Sequence, residues 1–241
     1  MPRHGKKYTD ALKKVDEERL YTVEEASSLL KDAAFANFDE TIELHARLGI
    51  DPRQADQTVR STVLLPNGSG RQVRVLVFAA GEAERAALEA GADYAGVDEY
   101  VAQINGGWLE FDATIAMADQ MGKVGGLGRV LGRRGLMPNP RSGTVVREVA
   151  DLPDVIRELK GGRVEFRNDR SGNVHVTVGK KSFTPEQIQA NLLAVIDAIN
   201  RAKPSGVKGI YCRTLSVATT MGPGIALDVS EAIAKSTNVG Q

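Results

Sequence analysis

The segment Thr41-Ile42-Glu43-Leu44-His45-Ala46-Arg47-Leu48 sets the fold. Every even position is apolar and every odd one polar. Successive side chains of a strand point to opposite faces, so this is a strand with one face on a core and the other open to solvent or a partner. Upstream, Thr22-Val23-Glu24-Glu25 is a capping box that starts a helix, in which Ala26, Leu29, Leu30, Ala33 and Ala34 share one face. Downstream, a second extended run from Val59 to Leu65 stops at Pro66-Asn67-Gly68-Ser69-Gly70, a strong break.

The texture then changes. Val73-Arg74-Val75-Leu76-Val77-Phe78 is nearly all apolar, the pattern of a strand covered on both faces. A helix over Glu82–Ala90, a short strand near Tyr94, a helix over Asp98–Ile104 and a strand over Asp112–Ala116 follow in alternation. Alternating strands and helices predict a small parallel sheet. A Gly/Arg/Pro-rich loop, Gly122 to Gly143, and a helix from about Val149 to Leu159 complete this portion, and Lys160-Gly161-Gly162 is the second break. Beyond it the one-faced pattern returns. Arg163, Glu165 and Arg167 alternate with Val164 and Phe166; after Asn168-Asp169-Arg170-Ser171-Gly172, Val174, Val176 and Val178 alternate with His175 and Thr177. The expectation is a hairpin. Thr184-Pro185-Glu186-Gln187 opens a long helix that buries Ile188, Leu192, Val195, Ile196 and Ile199. A last extended run, Val207 to about Thr219, ends in Thr220-Met221-Gly222-Pro223-Gly224.

Residues 40–65 supply too few strands for a stable one-faced sheet, and residues 163–219 supply more of the same kind. The expected fold is therefore an α+β split first domain with a one-faced antiparallel sheet (1–66 and 160–241), interrupted by an inserted α/β three-layer, Rossmann-like second domain (67–159). The two crossing strands would act as a hinge. Charge sorts accordingly. The chain is neutral, with 31 basic and 31 acidic residues. The split domain nevertheless carries twenty-one basic against eighteen acidic residues, and the insert ten against thirteen.

Composition narrows the function. At 42% hydrophobic and 26% charged residues the chain has the make-up of a folded soluble protein, expected in the cytoplasm. It contains no apolar stretch of membrane-spanning length, and its basic start, Met1 to Lys7, precedes no apolar segment. Cys212 is the one cysteine, and His4, His45 and His175 are scattered, so neither a disulfide nor a metal cluster is expected. No cofactor is implied. Nucleotide motifs fail on spacing. Gly126-Leu127-Gly128-Arg129-Val130-Leu131-Gly132 has its third glycine one residue late for a dinucleotide fingerprint, and Ala79-Ala80-Gly81-Glu82 sets a carboxylate where phosphate would lie. Before Gly179-Lys180-Lys181-Ser182 a P-loop needs a glycine where Val174 stands. There is no Gly-x-Ser-x-Gly elbow and no His-Glu-x-x-His pair. Cys212 within a strand reads as a small core residue, and His45 and His175 as surface contacts. The chain is not expected to be an enzyme.

Two stretches suit a polyanion. One is the polar strand face of Arg163, Arg167 and His175 with Lys180 and Lys181, joined by His45 and Arg47; by itself such a face is also an ordinary solvated surface. The other is Gly122 to Val145, with glycines for close approach, fixing prolines and the cations Lys123, Arg129, Arg133, Arg134 and Arg141. From Gln120 to Arg147 there are six basic residues and no acidic one.

Four segments carry a resemblance to a known family: Asn37 to Arg53; Arg134-Gly135-Leu136-Met137-Pro138-Asn139-Pro140 through Gly143-Thr144-Val145; Gly162-Arg163-Val164-Glu165-Phe166-Arg167-Asn168-Asp169; and Thr219-Thr220-Met221-Gly222-Pro223. In order, and over essentially the whole length, the chain resembles the bacterial L-one family of large-subunit ribosomal proteins, the proteins of the mobile stalk beside the tRNA exit site. The two glycine breaks fall where that family's inserted domain begins and ends. The resemblance implies a monomer when free, which joins the large ribosomal subunit through large-subunit rRNA at the stalk. It also implies help in releasing exit-site tRNA and repression of translation by binding the protein's own operon messenger RNA. A free messenger regulator or a nucleotide-dependent enzyme of the same architecture is the competing possibility. The RNA-binding residues implied are Phe38, Thr41, Glu43, Arg53, Arg163, Arg167, Asp169, His175, Thr220, Met221 and Gly222. Phe38 and Met221 suit packing on sugars or bases, and Thr41, Glu43 and Thr220 suit 2′-hydroxyls; the arginines suit phosphates, and Gly222 suits close backbone approach. Phe38 also reads as a core residue. A tRNA or other RNA contact of the Gly122–Val145 loop is a separate expectation, through Lys123, Arg129, Arg133, Arg134 and Arg141. The chain departs from the family pattern at Asn37, where lysine is common, and at Gly132-Arg133-Arg134-Gly135, where Gly-Pro-Arg-Gly is usual.

Overall fold

A computed structural model describes residues 5–239; Met1 to His4, the start of the basic segment, lie outside the described residues. In chain order the elements are helices α1 (Lys6–Leu12) and α2 (Val23–Ala33), strands β1 (Thr41–Leu48), β2 (Arg60–Leu64) and β3 (Val75–Phe78), then α3 (Glu82–Glu89), β4 (Tyr94–Ala95), α4 (Asp98–Asn105) and β5 (Ala113–Met117). The short helices α5 (Met121–Val124) and α6 (Gly128–Leu131) precede β6 (Val145–Val146), α7 (Leu152–Lys160), β7 (Arg163–Arg167) and β8 (Asn173–Lys180). The chain finishes with α8 (Pro185–Arg201), β9 (Cys212–Thr219), β10 (Ile225–Leu227) and α9 (Val229–Val239). Two compact units result, dividing at Gly70/Arg71 and at Arg163/Val164.

The first unit contains a four-stranded antiparallel sheet in the order β10-β9-β1-β8. The alternation in β1 does what its period dictates. Ile42, Leu44, Ala46 and Leu48 are buried, with Val174 and Val176 of β8 and Leu215 and Val217 of β9 in the same core. Helices α2 and α8 contribute Val23, Ala26, Leu30, Ile188, Leu192, Val195 and Ile196 to it. Both helices begin with a complete capping box, Thr22 with Glu25 and Thr184 with Gln187. Each box satisfies two backbone donors that a helix start leaves open, a contribution of roughly 1 kcal/mol. Since the helices lie on the apolar side, the polar side of the sheet stays uncovered by this core.

Residues 163–178 do not form the expected hairpin. β7 pairs with β2 in a separate two-stranded sheet, while β8 pairs with β1; the two strands touch only at a bridge between Asn168 and Val174. The turn is present, but β1 has a longer apolar stripe to offer β8 than β7 has.

In the second unit the sheet is parallel, ordered β4-β3-β5-β6. All four residues of β3 are buried, facing alternately two cores. Val75 and Val77 join Ala83 and Ala87 of α3 and Leu152 and Ile156 of α7. Leu76 and Phe78 join Ile104 of α4 with Val124, Leu127 and Leu131. The glycine-rich stretch, expected to be a loop, is instead a run of short α and 3-10 turns from Ala118 to Arg134. Val124, Leu127 and Leu131 recur at helical spacing and bury one side of it, which offsets the poor helix propensity of its glycines. Among the described residues no helix is long and apolar enough to cross a membrane.

Candidate nucleic-acid interface

The uncovered face of the first unit is built by the residues between the buried ones. β1 supplies Thr41, Glu43, His45 and Arg47. Their cross-strand partners on β8 are Lys180, Thr177, His175 and Asn173. On β9, Glu43, His45 and Arg47 lie opposite Ala218, Ser216 and Thr214. Hydroxyls, imidazoles and a few charges thus form a polar surface roughly 20 Å long, six steps from Thr41 to Arg47 at about 3.3 Å each. Polar sheet faces of this kind suit a partner rich in hydroxyls and phosphates.

At the end where β1 begins, two loops are bound together by one carboxylate. Glu40 is fully buried, although it is acidic. Its carboxylate accepts hydrogen bonds from the N–H of Ala36 at 2.8 Å and of Met221 at 2.9 Å, and its carbonyl accepts from the N–H of Lys181 at 2.8 Å. Burial raises its pKa, but the N–H groups of Met221 and Ala36, the Thr219 hydroxyl and the Lys181 charge together hold it below the usual value. Thr220 Oγ1 accepts from the Thr41 N–H at 3.0 Å and donates to the Thr41 carbonyl at 3.3 Å. Lys180 Nζ donates to Thr41 Oγ1 at 2.8 Å. A β-bulge between Ile42 and Glu43, with Val178 as the extra residue of β8, is what brings Lys180 opposite Thr41.

This end gathers Phe38, Thr41, Thr220, Met221 and Gly222 into one rim. Phe38 is 53% exposed and Met221 49%, so Phe38 is no core residue; both present bare apolar surface beside polar groups. Gly222 donates its N–H to Thr219 Oγ1 at 3.1 Å, and a Cβ there would collide with that same oxygen. The need for glycine comes from the turn itself, whatever approaches from outside.

Glu43 lies one step along the face. In mid-face His45 and His175 meet, with Nδ1 atoms 2.8 Å apart. One nitrogen must carry the proton and the other accept it. Glu43 is 4.0 Å from His45 Nε2 and Asp169 is 3.8 Å from His175 Nε2. Burial, and next the neighbouring His175, lower the His45 pKa against the pull of Glu43. Asp169 lies in the turn at the far end. There it accepts from the N–H groups of Ser171 and Asn173 at 2.7 and 2.8 Å, hydrogen bonds that hold its carboxyl below the usual value. Arg53 follows β1 in the loop beyond that end, exposed.

Two expected residues fall elsewhere. Arg167 is exposed, but on the two-stranded sheet rather than the four-stranded face, because β7 pairs with β2. Arg163 belongs to the second unit, where its largely buried guanidinium bonds Glu158 at 2.7 Å and packs against Gly143. It anchors the start of β7 and does not share the polar face with His175. Among the described residues no group of side chains is arranged to hold a metal. Cys212 is buried, and burial pushes its thiol up to about 11, which makes it unreactive.

Residues 30–223 match the sequence model of the ribosomal protein L1p/L10e family. The chain belongs to that family. A Thermomicrobium roseum protein named large ribosomal subunit protein uL1 is 64% identical over 233 residues, covering 97% of each chain. Proteins of the same name are 58% identical in Chloroflexus aurantiacus, over 95% of this chain and 96% of the relative, and 52% in Thermus thermophilus, over 95% and 99%. The family is one of ribosomal proteins, not of enzymes.

The second unit displays the other expected cations. Arg129, Arg133, Arg134 and Arg141 are exposed, whereas Lys123 is bonded to both oxygens of Asp98 at 2.8 and 2.9 Å. The residue that organises the first unit's rim, Glu40, is not among those expected. A signal for it exists: position 40 shares the even register of Ile42, Leu44, Ala46 and Leu48, so a carboxylate there has to be buried and bonded.

Proposed function

We propose that this family member is a structural constituent of the large ribosomal subunit, acting in the cytoplasm, and that it holds large-subunit rRNA on the open face of its first unit at the mobile stalk. The observation that carries the proposal is the rim of Phe38, Thr41, Thr220, Met221 and Gly222, held in place by Glu40. It sets an exposed ring and an exposed thioether beside hydroxyls at the edge of an uncovered polar sheet. Apolar groups that pack on sugars and bases, next to hydroxyls able to bond 2′-OH groups, are how proteins recognise folded RNA. Phosphate-binding cations then position it.

The same surface would take a mimic of the rRNA site in the operon messenger, which makes the protein a translational repressor once rRNA sites are filled. Assistance to exit-site tRNA release falls to the second unit. There Gly122, Gly125, Gly126, Gly128 and Gly132 lie in helical turns, and a Cβ at any of them would meet nothing among the described residues. Glycine in a helix costs roughly 1 kcal/mol relative to alanine. Space inside this fold does not require it, and bare backbone beside Arg129 and Arg133 suits the close approach of an RNA strand.

The test is binding of the full chain to a stalk-region rRNA fragment across a salt series, against a scrambled RNA of equal length, with Thr220→Val and Met221→Asp in parallel. Specific binding that survives moderate salt and collapses in both variants supports the rRNA site, since non-specific phosphate contact falls steeply with salt. Equal binding of both RNAs overturns it. Reporter translation unaffected by saturating protein would remove the repressor role, and crosslinks from residues 122–145 that reach rRNA alone would remove the tRNA role.

A further inference from the structure

The open face has a second, electrically different end. Where β1 finishes, Arg47 pairs with Thr214 but Leu48 pairs with Cys212, so Arg213 is the extra residue of a bulge in β9. A bulge turns two consecutive side chains toward one side and re-aims them. Arg213 and Thr214 are indeed both exposed, between the buried Cys212 and Leu215. The bulge thereby adds a second guanidinium to the face beside Arg47, where strict alternation would have turned Arg213 inward. The loops around it meet there. The Leu48 N–H donates to the Gly172 carbonyl at 2.9 Å and the Gly49 N–H to the Tyr211 carbonyl at 2.6 Å, while Gly49 packs under Arg213.

Charge at this end is unspent. Among the described residues Arg47, Arg53, Arg170, Lys208 and Arg213 form no ion pair, and all are exposed. Asp51, Asp56 and Asp169 lie in the same loops. The carboxylates of Asp51 and Asp169 accept from loop N–H groups instead of neutralising an arginine. The rim at the opposite end differs: Lys180 is bonded to Thr41, and Lys181, which reaches the carbonyls of Ala34 and Ala36 at 3.2 and 3.4 Å, has its charge balanced by the buried Glu40 carboxylate.

We propose that Arg213, placed on the face by the bulge, forms with Arg47 a clamp for the RNA sugar-phosphate backbone. The two ends of the sheet then divide the labour: the Thr41–Thr220 rim selects the RNA and the Arg47–Arg213 end holds phosphate without regard to sequence. The clamp rests on RNA binding by the first unit, and its test is built to fail separately.

Full-length wild type, Arg213→Ala, Arg213→Lys and Arg47→Ala are titrated with the stalk-region fragment and the scrambled RNA from 50 to 400 mM salt. Each alanine variant is expected to flatten the plot of log affinity against log salt by roughly 0.7–0.9, the slope carried by one phosphate contact, and to weaken binding roughly 5- to 10-fold near 0.1 M salt. Both RNAs should lose the same factor, leaving their ratio unchanged, and Arg213→Lys should restore the slope. Thr220→Val should do the reverse, changing the ratio and not the slope. An unchanged slope in Arg213→Ala, or a loss confined to the stalk fragment, overturns the clamp while leaving the RNA site standing. Wild type that fails to discriminate the two RNAs removes the RNA site itself.

Discussion

Replacing Glu40 by alanine tests the link between fold and site most directly. The fully buried carboxylate is the acceptor for two backbone N–H groups on different segments, Ala36 before β1 and Met221 after β9. Alanine leaves both donors without that acceptor. A buried donor stripped of its partner costs about 1–3 kcal/mol. Met221 is half exposed, so water can reach part of this turn, and the expected total is about 2–4 kcal/mol rather than the sum of two maxima. Urea unfolding should show it as a lower midpoint with an unchanged slope against denaturant. Glu40→Gln keeps the volume and one acceptor oxygen but turns an amide NH2 toward a backbone donor; it should lose about 1–2 kcal/mol, as charge-assisted bonds are stronger than neutral ones. RNA affinity should fall in both variants even under conditions where each remains folded, because the Met221 turn is no longer tied to the Phe38 loop. Stability within about 0.5 kcal/mol of wild type together with unaltered RNA binding would refute the claim that this carboxylate organises the rim.

Thr220→Val removes both side-chain bonds to Thr41 and leaves the Thr41 N–H short of an acceptor, so about 1–2 kcal/mol should be lost in urea melts alongside RNA affinity. Acidification acts through His45 and Glu40, whose folded pKa values are both depressed. For a group depressed on folding, the unfolded chain binds the proton first. The His45 contribution is therefore intact above about pH 6.5 and lost as pH falls through its folded pKa, and the Glu40 contribution is lost below about pH 4.5. Stability measured between pH 7 and 5.5 should decline less steeply in His45→Gln; an identical slope would exclude His45 as the cause. Gly126→Ala should raise the stability of the second unit by up to about 1 kcal/mol in thermal melts, since its Cβ meets nothing, while weakening any tRNA crosslink from that surface. Cys212 should resist alkylation at pH 8 in the folded chain and react on unfolding, with equal rates in the two states counting against its burial.

Much of the architecture is legible in the sequence because it is periodic. β1 alternates without a break, β3 is apolar throughout, and α2 and α8 carry their own capping boxes, so period and cap name each element. Pairing is less legible. Arg163 to Arg167 and Asn173 to Lys180 alternate equally well and are joined by a good turn, yet they pair with β2 and β1 instead of each other; local pattern cannot rank one partner strand over another. The helical turns of Ala118–Arg134 are hidden for the opposite reason. Their glycines signal a loop, and only the spacing of Val124, Leu127 and Leu131, fixed by tertiary burial, overrides that signal. The site follows the same division. Thr41, Thr220 and Met221 are accessible to a resemblance, but Arg213 is invisible to alternation because a bulge is the failure of alternation.

The neutral net charge, which at first opposes a polyanion partner, becomes intelligible at this level. What a polyanion meets is the unpaired charge, not the sum. In the second unit Arg74 and Asp112, and Lys160 and Asp93, pair with each other; Arg60 and Glu165 do so in the first. Such pairs add to both sides of the count while leaving little field outside. Arg47, Arg53 and Arg213 have no such partner and stand at one end of a face whose other end sets Lys180 and Lys181 among Asp39, Glu40 and Glu43, beside hydroxyls and exposed apolar surface. A field that is strong at one end steers a phosphate backbone and fixes its direction along the sheet, while the weakly charged rim leaves selection to shape and hydroxyl bonding. Setting the rim's two lysines among carboxylates such as Glu40 is therefore as much a part of the arrangement as leaving the far arginines bare. A uniformly basic face of the same total charge would hold any RNA in any register.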